Sequence, residues 1–225
     1  MVIIMIKTLK IKLKPNNKQQ TKMFQFCGAK RFAYNWAIAK EKENYSNGGK
    51  FISDNELRKQ FTQLKKQEEY KWLYSISNDI TKQAIKDACM SYKRFFKGQS
   101  KFPKFKVKRT DRPSFYVDNV KIKFTDTHVK LENISSSRKG NKKKLNWVRL
   151  VEKNKIPTNC KYINPHVVFD GINWFICVGI EVFGSVISLI YASIIIKFKS
   201  VNEACYRHIF VFHPFVFFLF FFLIF

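Results

Sequence analysis

Acid is what this chain has least of. Sixteen Asp and Glu stand against 42 Lys and Arg, a formal net charge of +26. That excess is larger than solubility needs. It favours a polyanionic partner, because each phosphate neutralised by Lys or Arg releases condensed counterions. Cysteine is scarce and scattered: Cys27, Cys89, Cys160, Cys177 and Cys205 are odd in number and include no C-x-x-C pair. This excludes a disulfide framework and a Cys-based tetrahedral zinc site, and it fits a reducing compartment. His128, His166, His208 and His213 have no metal-ligand spacing, and no Ser, Cys and His fall into a nucleophilic triad. The opening MVIIMI is too short for the apolar region of a signal peptide and runs into alternating lysines, so no secretory leader is expected. No cofactor, no metal site, no catalytic residue and no small-molecule substrate are expected.

Charge itself nearly vanishes from one region. Between Phe183 and Phe225 the charged residues are Lys197, Lys199, Glu203 and Arg207, with no Asp, and the stretch ends FVFFLFFFLIF. The preceding segment holds 39 cations and 15 acids, a formal +24. The chain therefore changes character at about Val182.

In the front, Leu9, Ile11 and Leu13 alternate with Lys10, Lys12 and Lys14. Period two predicts a strand with one apolar face and one lysine ladder. Pro15-Asn16-Asn17 ends it and supplies an Asn N-cap. A long helix to about Tyr45 follows, with an apolar stripe at Met23, Phe26, Cys27, Ala33, Tyr34, Ala37 and Ile38. Lys30, Arg31 and Asn35 lie beside that stripe, within reach of phosphates or base edges. A second helix is predicted from the Ser53/Asp54 cap toward Lys66, then a turn around Trp72-Leu73-Tyr74. A third helix spans about Ser77 to Lys97. Its Ile80, Ala84, Ala88, Tyr92 and Phe95 form one face, and Lys82, Lys86, Lys93 and Lys97 the opposite one. A solvated face usually mixes signs; this one has only Asp79 as an acid.

The segment 101–109 (KFPKFKVKR) interleaves rings with cations, and Pro103 bars it from a helix interior. An extended strip of this kind can follow a phosphate backbone while a ring stacks on a base. Lys104, Phe105, Lys106, Lys108 and Arg109 are its candidate contacts. The period then returns to two: Val120, Ile122 and Phe124 alternate with Lys121 and Lys123, and Val129/Leu131 and Trp147/Arg149 continue as short strands. Ser135 to Lys144 reads as a polar basic loop. Asp170-Gly171 between HVVF and INWFICVGIEV is a strong hairpin signal, and the second run, apolar on both faces, predicts a central strand. The paired acids Glu41/Glu43 and Glu68/Glu69 read as surface charges. The fold class expected is α+β: a small β-barrel or sheet with an inserted helical domain.

The stretches IKTLKIKLKPN, AKRFAYNWAIAK, LYSISNDITKQAIKDACMSYKRFF, KFPKFKVKR with SFYV, WVRLVEK and INWFICVGIEV occur in that order. Over about residues 5 to 182 the chain resembles the N-terminal part of the TnpB (OrfB-type) proteins of bacterial insertion sequences. The resemblance implies a wedge-type β-barrel interrupted by a helix-turn-helix-like recognition domain, with guide-like RNA and DNA as partners. On that basis residues 1–14 are the first barrel strand, 15–100 the helical domain, 101–182 the rest of the barrel and 183–225 an apolar tail unlike the family. It also implies an RNA-guided RuvC-like nuclease with two Asp, a Glu and a zinc ribbon, all beyond the point where this sequence departs. A two-metal nuclease needs converging carboxylates, so cleavage is not expected of this chain.

Three readings of the tail stand open: an out-of-frame ending of a truncated gene, a membrane segment, and a buried core helix. Residues 186–196 and the 17 residues 209–225 are shorter than the roughly 20 residues of a usual span, and His213 and Pro214 interrupt the second. The front reads as a cytoplasmic nucleic-acid-binding module. A stand-alone DNA- or RNA-binding regulator, or a basic protein anchored to membrane through 183–225, is the alternative.

Overall fold

The computed structural model describes residues 2–134, 146–158 and 160–185. The loop expected at 135–144 and the tail beyond Ser185, with His208, His213 and Cys205, lie outside them. Ile6–Glu181 forms one compact unit; the other comprises Met1–Met5 and Val182–Phe225. Among the described residues no helix is long and apolar enough to cross a membrane.

Strand β1 (Val2–Lys14) runs into helix α1 (Asn17–Ser46) through the expected cap. The Asn16 side chain accepts from the Gln19 amide at 2.9 Å, and the Gln19 side chain accepts from the Asn16 amide at 2.9 Å. Two orphan donors of the first turn are thus satisfied reciprocally. Gln19 Nε2 also donates to the Trp147 carbonyl at 2.9 Å, which ties the helix start to the sheet. Ser53 caps α2 (Asp54–Leu64) and Ser77 caps α3 (Asn78–Phe96), with a 3-10 helix (Glu68–Ser75) between them. The α1 stripe is buried as expected. The apolar face of α3 is wider than expected, because Thr81, Ile85 and Cys89 are buried along with Ile80, Ala84, Ala88 and Tyr92. The cause is that α3 packs against both α1 and α2.

The strands β2 (Ser114–Tyr116), β3 (Lys123–Phe124), β4 (His128–Lys130), β5 (Trp147–Leu150), β6 (Tyr162–Phe169) and β7 (Trp174–Ser185) join β1 in one sheet, ordered β2-β6-β7-β1-β5-β4-β3. The β6–β7 hairpin forms at Asp170-Gly171 with a four-residue turn: Asp170 Oδ1 accepts from the Ile172 and Asn173 amides, and Gly171 takes φ +109°. Strand β7 is central, as its two apolar faces predicted. At Gly179 a Cβ would meet Ile6 Cγ2 at 3.1 Å and the Ile163 carbonyl at 3.2 Å, so a side chain there would push its neighbours back by a few tenths of an ångström.

The implied barrel is not what forms: the seven strands make an open sheet. The physical reason lies at its edges. The Val120–Phe124 run was expected to be a strand, but Asp118 Oδ1 accepts from the Val120 amide at 2.9 Å and the Lys121 amide at 3.1 Å. That Asx-type turn takes the backbone out of the extended state. Only Lys123–Phe124 remains as β3, and Val120 is exposed. The gap is bridged by side chains instead. Phe124 packs on Tyr162 at 4.8 Å between ring centroids, and Asn119 Oδ1 accepts from the Asn164 amide at 3.1 Å.

Glu41 corrects a second expectation. It is not a surface charge but 3% exposed between helices. Its Oε2 accepts from the Ile52 amide at 3.3 Å, and Oε1 has no partner among the described residues. Burial raises its pKa, with the Ile52 amide opposing in part. A carboxyl whose folded pKa is raised favours the folded state most below its unfolded pKa of about 4.3. That contribution is lost as pH rises through the folded pKa. Glu41→Gln therefore stabilises the chain at pH 7 and not at pH 4. Thermal melting across that range checks it, and equal melting shifts at both pH values would refute it.

Candidate nucleic-acid interface

The lysine ladder of β1 acquires cross-strand neighbours. Lys14 lies opposite Arg149 of β5, and Arg149 lies opposite His128 of β4. In the next row Trp147 opposes Lys130, which opposes Lys123 of β3. Lys14, Arg149 and Lys123 are exposed, while the alternate residues Leu13, Val148, Leu150 and Val129 are buried. One face of the sheet is thus core, and the other is a basic row with an indole in it. No ion pair relieves Lys14, Arg149, Lys130 or Lys123 among the described residues. Toward β7, Lys10 Nζ sits 4.3 Å from the Phe175 ring centroid. Lys12 is half-buried between these two ends of the ladder.

On the helices the sites divide. Lys86, Lys93 and Lys97 are exposed and have no carboxylate partner among the described residues, and Lys82 reaches Asp79 only at 3.9 Å. Asp79 is held instead by Lys121, at 2.5 Å. Lys121 also reaches Glu132 at 3.4 Å, so it fastens the sheet to the helices. Arg31 is half-buried and unpaired among the described residues. Lys30 Nζ donates to Ser114 Oγ at 2.9 Å, and burial, with Lys106 adding to it, lowers its pKa. Tyr34 is buried, its hydroxyl 3.2 Å from Ser91 Oγ, which gives it a packing role.

Asn35 does something its sequence position did not disclose. Its Nδ2 donates to the Lys106 carbonyl at 2.9 Å, and its Oδ1 accepts from the Lys106 amide at 2.8 Å. One side-chain amide therefore pairs both polar groups of one peptide. Lys106 Nζ lies 4.5 Å over the Tyr34 ring. These contacts hold the 101–109 strip along α1 and leave Lys104, Phe105, Lys108 and Arg109 exposed. The strip ends in a turn where the Asp111 carboxylate accepts from the Val107 amide. Asn35 is thus a positioning residue and its amide is already committed. Asn35→Ala leaves a donor and an acceptor unpaired, a local cost of about 1–3 kcal/mol. Limited trypsin digestion should then cut at Lys104, Lys106 and Lys108 several times faster. An unchanged digestion rate would mean the strip is held by something else.

Sequence reading missed Arg149, Lys130 and His128 as members of the candidate interface. For Arg149 and Lys130 the signal was present as single alternating cations in short strands. What was absent from the sequence was the register that lines them up with Lys14. Among the described residues, no three of His, Cys, Asp and Glu lie close enough together to hold a metal ion.

A family model described as a helix-turn-helix domain, of the OrfB type of IS605 elements, matches residues 1–50. In the structure those residues are β1, the whole of α1 and the start of the connection to α2. The chain is also similar to InsQ of Escherichia coli (strain K12), named as a candidate RNA-guided DNA endonuclease. The two are 30% identical over 143 residues, which is 64% of this chain and 36% of InsQ. The match thus spans little more than a third of that relative's length. The chain is thus similar to OrfB-type proteins in its strand-to-helix opening, and to InsQ over a longer stretch.

Proposed function

We propose that this chain is a transposon-associated, nucleic-acid-binding protein of TnpB-like kind that grips guide-like RNA, DNA or both chiefly through phosphates. The observation that carries the reading is the row Lys14–Arg149–His128 on adjacent strands. Lys14 and Arg149 are like charges set directly opposite, which is destabilising, and no acid compensates them among the described residues. A polyanion laid across the sheet offsets that repulsion. The strip at 104–109 and the lysine face of α3 extend the same field. On this reading 1–14 and 101–182 supply the sheet module and 15–100 the helical recognition module.

The chain recognises and does not itself cut. Several of the described acids are engaged otherwise: Asp118 and Asp170 organise turns, Asp54 pairs with Arg58, and Asp79 and Glu132 hold Lys121. An anisotropy titration of the full chain against structured RNA and duplex DNA tests the reading. Log affinity should fall with log salt by about 0.7 to 0.9 per phosphate neutralised. A salt-independent affinity overturns it. Added Mg²⁺ should leave the target DNA intact, and cleavage abolished by replacing a carboxylate of the front would refute the non-cutting part.

A further inference from the structure

Apart from the sheet face, the helical part carries a second feature that its core does not need. Where α1 and α3 end, Tyr45 is 67% exposed, Phe96 50% and Phe102 46%. These rings are not scattered. Phe96 stands 6.2 Å from Tyr45 and stacks on Tyr92 at 6.0 Å. Phe102 meets Tyr92 edge-on at 5.6 Å and Phe95 edge-on at 5.2 Å. The buried Tyr92 and half-buried Phe95 beneath hold the outer rings in place, so the exposed rings form a supported ridge. Single exposed apolar residues need no explanation, but a contiguous patch usually marks an interaction surface.

The rim of the ridge says what kind of partner it fits. Arg94, Lys97, Lys101 and Lys104 are exposed, and Lys93 Nζ sits 5.5 Å over the Phe51 ring. None of these five cations has a carboxylate within ion-pair distance among the described residues. An apolar protein groove would find no complement in a rim of one sign. A folded duplex would use the cations but not the rings, because its base faces are already stacked on one another. Unpaired nucleotides use both at once: bases stack on rings while phosphates meet the lysines.

We infer that the Tyr45/Phe96/Phe102 ridge is a stacking platform for an unpaired stretch of nucleic acid. It is separate from the phosphate-gripping sheet face. This rests on the nucleic-acid reading above and adds to it a strandedness and a place. The ridge sits where the helical part hands over to the 101–109 strip, so an unpaired segment bound there continues along Lys104, Lys108 and Arg109.

The test uses the full chain with Phe96→Leu and Phe102→Leu together, which keep apolar bulk and remove the flat rings. Unstructured oligo(U) and oligo(dT) are the single-stranded probes, and a blunt duplex of equal length is the control. The double variant should lose about tenfold or more in affinity for the unpaired probes. It should keep the parent's salt slope and its duplex affinity. Lys97→Ala should instead lower the slope by about 0.7. Equal loss on oligo(U) and oligo(dT) means the platform reads base faces alone; loss on oligo(U) only makes it an RNA site. Unchanged affinity for both probes overturns the platform and leaves the nucleic-acid reading intact, whereas failure of the parent to bind any probe sinks both. Circular dichroism melting of the double variant separates lost stacking from lost folding. If folding is lost, Phe96→Tyr, which keeps the ring, should bind unpaired probes as the parent does, and a tenfold loss there overturns the inference.

Discussion

Arg149→Glu should weaken nucleic-acid binding by about ten- to a hundredfold at 50 mM salt while raising the melting temperature slightly. Both effects follow from the same geometry. Arg149 lies directly across from Lys14 on one side and His128 on the other. In the free protein the substitution exchanges the Lys14–Arg149 repulsion for a cross-strand attraction worth a few tenths of a kcal/mol at an exposed site. In the complex it removes a counterion-releasing contact and adds a charge that repels phosphate. The salt slope should drop by about one unit. A purely structural arginine would behave oppositely, with binding intact and stability lowered. Binding measured in parallel with thermal melting distinguishes the two, and unchanged affinity would remove the sheet face from the interface.

Phe26→Ala should be among the most damaging single truncations. Phe26 is buried in α1, and its ring meets Phe115 of the edge strand β2 edge-on, at 5.3 Å between centroids. Phe115 is itself buried and 6.5 Å from Trp174 of β7. The three rings run from the helical layer through the short edge strand toward the middle of the sheet. Removing the first leaves a cavity where the layers meet, at a cost of about 3–5 kcal/mol. Domains typically hold only about 5–15 kcal/mol in total, so the melting temperature should fall by about 10 °C or more. Phe24→Ala is the control. Phe24 touches Phe169 and Trp174 on the same layer but is partly exposed, so it should cost less than half as much. Equal losses would mean that Phe26 is not the docking point.

What the sequence disclosed was mostly local. The caps at Asn16, Ser53 and Ser77, the α1 stripe and the Asp170-Gly171 hairpin are each decided within a few residues, and the structure has them. The failures share a cause. The Val120–Phe124 alternation was real, but Asp118 offered the backbone a competing set of hydrogen bonds. Glu41 looked like its neighbour Glu43 because periodicity does not report how deeply a helix is sandwiched. Asn35 looks like a free recognition amide in the sequence because its partner lies 71 residues away. The cationic row was illegible for a similar reason: Lys14 meets Arg149 only through the pairing of β1 with β5. Charge excess is legible in composition, whereas only register shows which cations line up on one face of the sheet.

The place of β1 in the sheet has a consequence for synthesis. It is synthesised well before both of its neighbours, lying between β7 and β5, whose residues begin at Trp174 and Trp147. At typical elongation rates of about 5–20 residues per second, the strand waits on the order of ten seconds for its neighbours. For that interval an apolar edge of Leu9, Ile11 and Leu13 has nothing to pair with. Lys10, Lys12 and Lys14, set at every second position, keep it from pairing with copies of itself on neighbouring nascent chains. The charges proposed to meet phosphate in the finished protein would then serve first as guards against aggregation, and neutral replacements there should lower soluble yield before they lower affinity.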